Sequence, residues 1–196
     1  MDKEIKKINR DICLIKYRKL PLLEYEKETD SDVFYYPECN YIYWIKIEKD
    51  SAKELIKEFL TLIDLFKFKK FIFLGSINKP WISKLTSKRK NYKPLIKSLE
   101  YFSDLKIDKK FNGGVEVGRE NLKKFLKNFY TITEVDGGFF DYYFTDIDQS
   151  ILFYLHYSGE FKILPLSEEI NTKYLNVVKK TNFIDVLRNQ NDTNRI

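Results

Sequence analysis

The sequence predicts one α+β domain spanning residues 1–196, with a mainly antiparallel sheet and helices packed on one face. The length of 196 residues suits one sizeable core. Short aromatic and β-branched runs follow one another, and only a few amphipathic helical stripes separate them, which favours α+β over a doubly wound sheet. The charged residues 1–10 and the polar residues 189–196 are expected to be loose ends.

Strands are predicted where β-branched and aromatic residues cluster between turn residues. The stretch from Glu24 to Asp32 is acidic and is expected to be a loop. We place strands near residues 11–17, 33–36, 41–47, 70–75, 114–117, 131–135, 139–145, 151–157 and 160–164.

Helices are predicted from apolar residues at helical spacing. Ser51 and Glu54 form a capping box, and the wide apolar stripe behind them begins the clearest helix. Between the strands near 41–47 and 70–75, this helix suggests a βαβ unit. The helices lie near residues 51–66, 92–102, 120–129 and 172–187. The predicted core comprises Ile45, Ile56, Phe59, Leu60, Ile63, Phe71, Phe73, Leu122, Phe125, Phe153 and Leu155.

Aromatic residues make up 16% of the chain, including 14 Tyr. So many hydroxyls cannot all find buried partners, so many Tyr are expected at the surface, where binding sites use them. The alternative explanation for the high Tyr content is codon bias in an AT-rich genome. The formal net charge is +6 with only six Arg, and this low Arg count argues against a nucleic-acid reader.

The sequence indicates no cofactor and no membrane span. Cys13 and Cys39 lack metal-ligand spacing, and no P-loop or Rossmann glycine pattern occurs. No apolar run approaches the roughly 18 residues that a membrane span needs, and no secretory signal opens the chain. We expect a protein of the reducing cytoplasm.

The single histidine, His156, lies in a predicted strand. Alternation places Ile151, Phe153, Leu155 and Tyr157 on one face, and Leu152, Tyr154 and His156 on the other. A general base needs an orienting carboxylate and a nearby nucleophile. A histidine in a hydrogen bond or an interface fits this sequence better than a catalytic one.

Glu160-Phe161-Lys162 matches the Glu-x-Lys core of PD-(D/E)xK nucleases, in which Asp and Glu hold Mg²⁺ and Lys positions water. Asp141, Asp146 or Asp148 would supply the first carboxylate. With 15 Glu and 29 Lys, about two such matches are expected by chance. Two occur, so the motif is not enriched. A Mg²⁺-dependent nuclease therefore remains the alternative function.

A basic run follows Trp81 in the middle of the chain. Its charges, with Trp81 and Tyr92 interleaved, could track a phosphate backbone or bind an acidic protein, and a solvated surface is the third interpretation. The run comprises Lys84, Lys88, Arg89, Lys90, Lys93 and Lys97.

The segments from Phe140 to Asp146 and from Ile151 to Glu160 resemble the closing hairpin of small bacterial immunity proteins. In those proteins a Tyr-Phe-Thr-Asp strand precedes an aromatic strand ending in His-Glu. Here Tyr157-Ser158-Gly159 separates His156 from Glu160, and the chain is basic where many immunity proteins are acidic. The resemblance implies a non-enzymatic inhibitor that binds a cognate toxin.

No complete catalytic set is present, so a protein-binding module is favoured over an enzyme. We predict that the late strands present an exposed aromatic patch flanked by carboxylates, unless that face is core under the last helix. The predicted partner-binding residues are Asp141, Tyr142, Phe144, Tyr154, His156 and Glu160.

Overall fold

A computed structural model describes residues 5–49, 51–139 and 141–186. Its strands and helices alternate irregularly along the chain, as expected for α+β. The strands are β1 (Ile5–Ile8), β2 (Leu22–Glu26), β3 (Ser31–Tyr35), β4 (Tyr43–Lys46), β5 (Lys70–Gly75), β6 (Gly114–Gly118), β7 (Tyr142–Asp146), β8 (Ile151–Leu155), β9 (Phe161–Pro165) and β10 (Ile184–Asp185). The helices are α1 (Arg10–Lys16), α2 (Ala52–Phe66), α3 (Lys93–Asp104), α4 (Arg119–Val135) and α5 (Glu168–Val178).

Eight strands form one sheet in the order β1-β6-β5-β7-β8-β9-β4-β10, and every neighbouring pair is antiparallel. The remaining two, β2 and β3, form a separate hairpin. The α+β class and the mainly antiparallel sheet are therefore confirmed. The expected βαβ unit is wrong, because β4 and β5 are not neighbours.

The inner face of the sheet, defined here as the face covered by α2 to α5, carries the main core. All eleven predicted core residues are buried there, and Phe59 is at its centre, stacked on Phe161 at 4.3 Å between ring centroids. Trp81 joins the same core and donates its Nε1–H to the carbonyl of Gly113 at 2.8 Å. Trp81 is therefore not an exposed ring beside the basic run, as the nucleic-acid interpretation of that run requires.

The opposite, outer face is covered only in part. Helix α1 packs there through Cys13, next to Ile72, Leu152 and Leu164. An added Cβ at Gly114 would lie 2.5 Å from the Cys13 Sγ, so this glycine permits the close approach of α1. The four longer helices thus share one face as predicted, and the short α1 is on the other.

Two predicted strands are helical. Residues 11–17 belong mostly to α1, which begins after Asn9, whose side chain accepts the Asp11 N–H at 2.8 Å. Its buried residues Arg10, Cys13 and Tyr17 follow helical spacing. Residues 131–135 continue α4, where the hydroxyl of Thr133 donates to the carbonyl of Phe129, four residues back. In both places the helical period of the apolar residues outweighs the strand preference of the β-branched residues.

The chain ends also differ from the expectation. Residues 5–8 are not loose but form β1, paired with β6, whereas residues 1–4 and 189–196 lie outside the described residues. Part of the expected acidic loop is strand β2. Helix α5 begins earlier than predicted, at the Ser167 cap. In the segment after α5, Asn182 donates two hydrogen bonds to the Glu58 carboxylate, each 3.0 Å long.

Candidate functional site

The candidate site is the part of the outer face formed by β7, β8, β9 and β4. The pairing register aligns Tyr143 with Tyr154, Tyr154 with Lys162, and Lys162 with Trp44. We call these four half-buried residues the outer row. Because residues alternate between the two faces of a strand, their neighbours Phe144 and Phe153 point into the inner core.

Ring contacts join the outer row into one surface. The Tyr143 and Tyr154 rings are 5.2 Å apart, and Trp44 meets Tyr154 edge-on at 6.3 Å. Phe34, in β3, and Tyr36, just after β3, pack against Tyr143 with ring centroids 6.5 and 6.0 Å apart. Such tilted and edge-on pairs fix the positions of the rings before any partner binds.

Lys162 brings a cation into this aromatic surface. Its Nζ lies 5.2 Å from the Tyr36 ring centroid and 5.8 Å from that of Trp44, within cation–π range. Burial lowers the pKa of the Lys162 ammonium. Within the described ranges it forms no ion pair with a carboxylate, so it is available to pair with an acidic group of a partner.

His156 lies at one end of the outer row. Its ring is 5.9 Å from Trp44 and 4.1 Å from the exposed Tyr157, and its Nδ1 shares a 2.6 Å hydrogen bond with the Ser158 hydroxyl. Tyr157 and Ser158 belong to the β8–β9 turn, in which Gly159 adopts a positive φ of 78°. This local hydrogen bond fixes the direction of the imidazole.

The structure separates the six predicted partner-binding residues. Tyr154 and His156 lie half-buried on the outer face, as predicted, and alternation along β8 is confirmed. Tyr142 and Phe144 are only 1% and 0% exposed and belong to the inner core, so their predicted exposure is wrong. Tyr142 stacks on Phe139 at 4.3 Å. The outward residue of β7 is Tyr143, one position away.

The two carboxylates are also less available than expected. Asp141 is half-buried and forms an ion pair with Lys79, while its backbone carbonyl accepts the Ser76 N–H at 2.7 Å. Glu160 is 8% exposed, and its carbonyl accepts the His156 N–H at 2.9 Å. Neither forms an open acidic rim around the outer row.

Two of the three carboxylates proposed for a nuclease lie far from Glu160. The third, Asp141, precedes β7 at the same end of the hairpin as Glu160, but its carboxylate pairs with Lys79. Asp146 and Asp148 lie at the β7–β8 turn, where the Asp146 carboxylate accepts backbone N–H groups of Asp148, Ser150 and Ile151. Glu160 lies at the other end of β8, about 17 Å along the five-residue strand. Across the described residues, no three His, Cys, Asp or Glu side chains group together to hold a metal ion.

The predicted basic run is exposed and separate from the outer row. Its loop is held by the Thr86 hydroxyl, which donates to Asp136 at 2.6 Å, and by Arg89, which donates to the Val135 carbonyl at 2.6 Å. Leu85 at this loop is 81% exposed. The exposed members of the run are Lys84, Lys88, Arg89, Lys90, Lys93 and Lys97.

Sequence reasoning missed Tyr143, Trp44, Lys162 and Tyr36 as members of this surface. The high Tyr content of the chain was a usable signal for an aromatic surface. However, only the pairing of β4 with β9 brings Trp44 to the late strands. In the described ranges, no helix combines the length and apolarity that a membrane crossing requires. Comparison with known proteins found no matching family model, curated protein or solved structure.

Proposed function

We propose that this chain is a non-enzymatic protein-binding module whose outer row binds and neutralises a cognate bacterial toxin. The observation that carries the proposal is the outer row itself, in which Tyr143, Tyr154 and Trp44 lie half-buried side by side around Lys162. Tyr and Trp are the residues that dominate binding energies at protein interfaces.

The physical chemistry of the row suits a protein partner. Its rings offer large contact areas at low entropic cost, since each is already positioned by a neighbouring ring. The Lys162 ammonium supports pairing with a carboxylate, and exposed Phe34 and Tyr157 extend the apolar area beyond the row.

The toxin as the partner class is supported by the resemblance of the late hairpin to bacterial immunity proteins. The resembling segment supplies Tyr143 in β7 and Tyr154 in β8, with His156 just after them. Three residues of the resembling segment, Tyr143, Tyr154 and His156, therefore belong to the surface that favours protein binding.

The test uses the protein encoded immediately upstream of the gene for this chain. That protein, expressed alone, should stop bacterial growth, and co-expression of this chain should restore it. Binding between the two purified proteins is then measured by calorimetry. An upstream product that neither arrests growth nor binds the chain would overturn the toxin assignment.

Two variants locate the binding surface. Replacing Tyr154 and His156 together by Ala should weaken binding roughly thirtyfold or more, the effect of losing interface residues worth ~2 kcal/mol. Tyr92→Ala is the matched control, because Tyr92 is 44% exposed on the basic loop, outside the outer row. Equal binding by both variants would show that the outer row is not the interface.

A further inference from the structure

A second surface lies between α2 and α4, which run antiparallel beside each other. The ion pair of Asp64 with Arg119, with both N–O distances 2.6 Å, joins the end of α2 to the start of α4. Beyond it the two helices border a groove of about 680 Å³. We call this the α2–α4 groove; its lining residues are Ala52, Lys53, Ile56, Glu120, Lys123, Lys124, Lys127 and Thr131.

The groove combines an apolar floor with a basic rim. The apolar atoms of the groove come from Ala52, from the small exposed part of Ile56 and from the methylene stems of the lysines, whose ammonium groups lie at the rim. Lys124 also contacts the neighbouring helix α3, where its Nζ lies 5.2 Å from the Tyr101 ring centroid. A ligand that fills the groove therefore meets apolar surface below and positive charge at the sides.

The charge of the rim is unbalanced. Four lysines face one glutamate, Glu120, and among the described residues none of the four forms an ion pair. Lys123 and Lys127 lie four residues apart on α4, a spacing at which like charges repel. Elsewhere on the same two helices, Lys57 pairs with Glu54 and Arg119 with Asp64.

We infer that the α2–α4 groove binds an acidic amphipathic helix of a protein partner. Such a helix would place its apolar face on Ala52 and the lysine stems, and its carboxylates beside the four lysine ammonium groups. The lining of α4 extends from Glu120 to Thr131, about 16 Å, which matches roughly three turns of a bound helix. The apolar floor favours this occupant over a nucleic acid, whose phosphates would use the lysines alone.

This inference does not depend on the proposed function. The groove lies on the helical layer that covers the inner face, whereas the outer row is on the opposite face of the sheet. Loss of binding at one surface leaves the other surface intact, so the two proposals succeed or fail separately.

The probe is a fluorescent synthetic helix with Leu on one face and Glu on the other. Its control has the same composition in an order that destroys the apolar face. Fluorescence anisotropy should show that the amphipathic peptide binds the full chain at least about tenfold more tightly than the control peptide, and that added salt weakens this binding. Equal binding of both peptides, or none, overturns the inference.

Charge reversal then locates the site. The double variant Lys123→Glu with Lys127→Glu should weaken peptide binding at least about tenfold. Lys109→Glu with Lys110→Glu, on an exposed loop outside the groove, gives the same net charge and should bind like the parent. Thermal melting checks that each variant is folded.

The same assay separates the competing ligands. Duplex DNA and vesicles of anionic lipid are titrated against the parent and both double variants. The inference is overturned if the parent binds DNA or lipid but not the amphipathic peptide, and if the groove variant loses that DNA or lipid binding. The groove would then be assigned to that ligand. Loss of peptide binding in both double variants also overturns it, because binding would then follow net charge alone.

Discussion

The inner and outer faces of the sheet use the same strands for different purposes. On β7 and β8, Phe144 and Phe153 point inward and stack at 5.2 Å between centroids, completely buried. The adjacent residues Tyr143 and Tyr154 point outward at the same centroid separation but remain half-buried. Similar ring contacts thus occur in a sealed core and on an accessible surface.

One short hairpin can therefore serve both stability and recognition. Phe144 and Phe153 are purely apolar and gain from complete removal from water. The outer row carries hydroxyl, indole and ammonium groups, which keep some access to solvent and offer directional contacts to a partner. Because inward and outward residues alternate along each strand, one set can be substituted without altering the other.

The largest expected effect is on the inner face. Phe59→Ala should lower the free energy of unfolding by about 3–5 kcal/mol, because it removes a ring in contact with Phe144, Phe153 and Phe161 and leaves a cavity. Tyr154→Ala, on the outer face, should cost only about 1 kcal/mol. Urea unfolding measures both, and equal losses would mean that the outer row is also core.

An intermediate effect is expected where α1 meets the outer face. Gly114→Ala should cost about 1–3 kcal/mol, because the new methyl group would overlap the Cys13 Sγ. Cys13→Ala in the same chain should recover part of that loss, since the sulfur is removed. A double-mutant cycle measures the coupling, and strictly additive losses would contradict the tight packing of α1.

The smallest effect concerns alkaline pH. Burial raises the pKa of Tyr154 to about 12, above the value of about 10 expected in the unfolded chain. The folded state therefore favours the protonated phenol, and this contribution is complete below pH ~10 and is lost as the pH rises towards 12.

Urea unfolding at a series of pH values above neutrality tests this prediction. Tyr154→Phe should show a weaker decline in stability at alkaline pH than the parent, because the ionising group is removed. Tyr92→Phe, on the exposed basic loop, serves as the control. An alkaline decline identical in Tyr154→Phe and the parent would contradict the pKa of Tyr154.

Much of the inner face could be predicted from the sequence, because apolar stripes on α2 and α4 are long and unambiguous. The candidate site could be predicted only in part. Along β8, the apolar residues Ile151, Phe153 and Leu155 alternate with Tyr154 and the following His156, so the sequence predicts the correct face for Tyr154. Along β7, Tyr142, Tyr143 and Phe144 are all aromatic, so alternation could not decide which residue faces outward.

The remaining members of the site depend on contacts between distant parts of the chain. Trp44 becomes a neighbour of Lys162 only through pairing of β4 with β9. Tyr36 reaches the same lysine from the segment after β3. Patterns within a single segment contain no information about such pairings, so sequence reasoning found the strands without finding the surface they form.

The strand order has a consequence for synthesis on the ribosome. Strand β4 is made early, yet its neighbours β9 and β10 begin only at Phe161 and Ile184. At about 5–20 residues per second, β4 waits several seconds or more with both edges unpaired after it emerges. Nascent chains that stop before Phe161 therefore expose the unpaired backbone N–H and C=O groups of β4. Chaperones that bind extended segments should recognise these chains around Trp44.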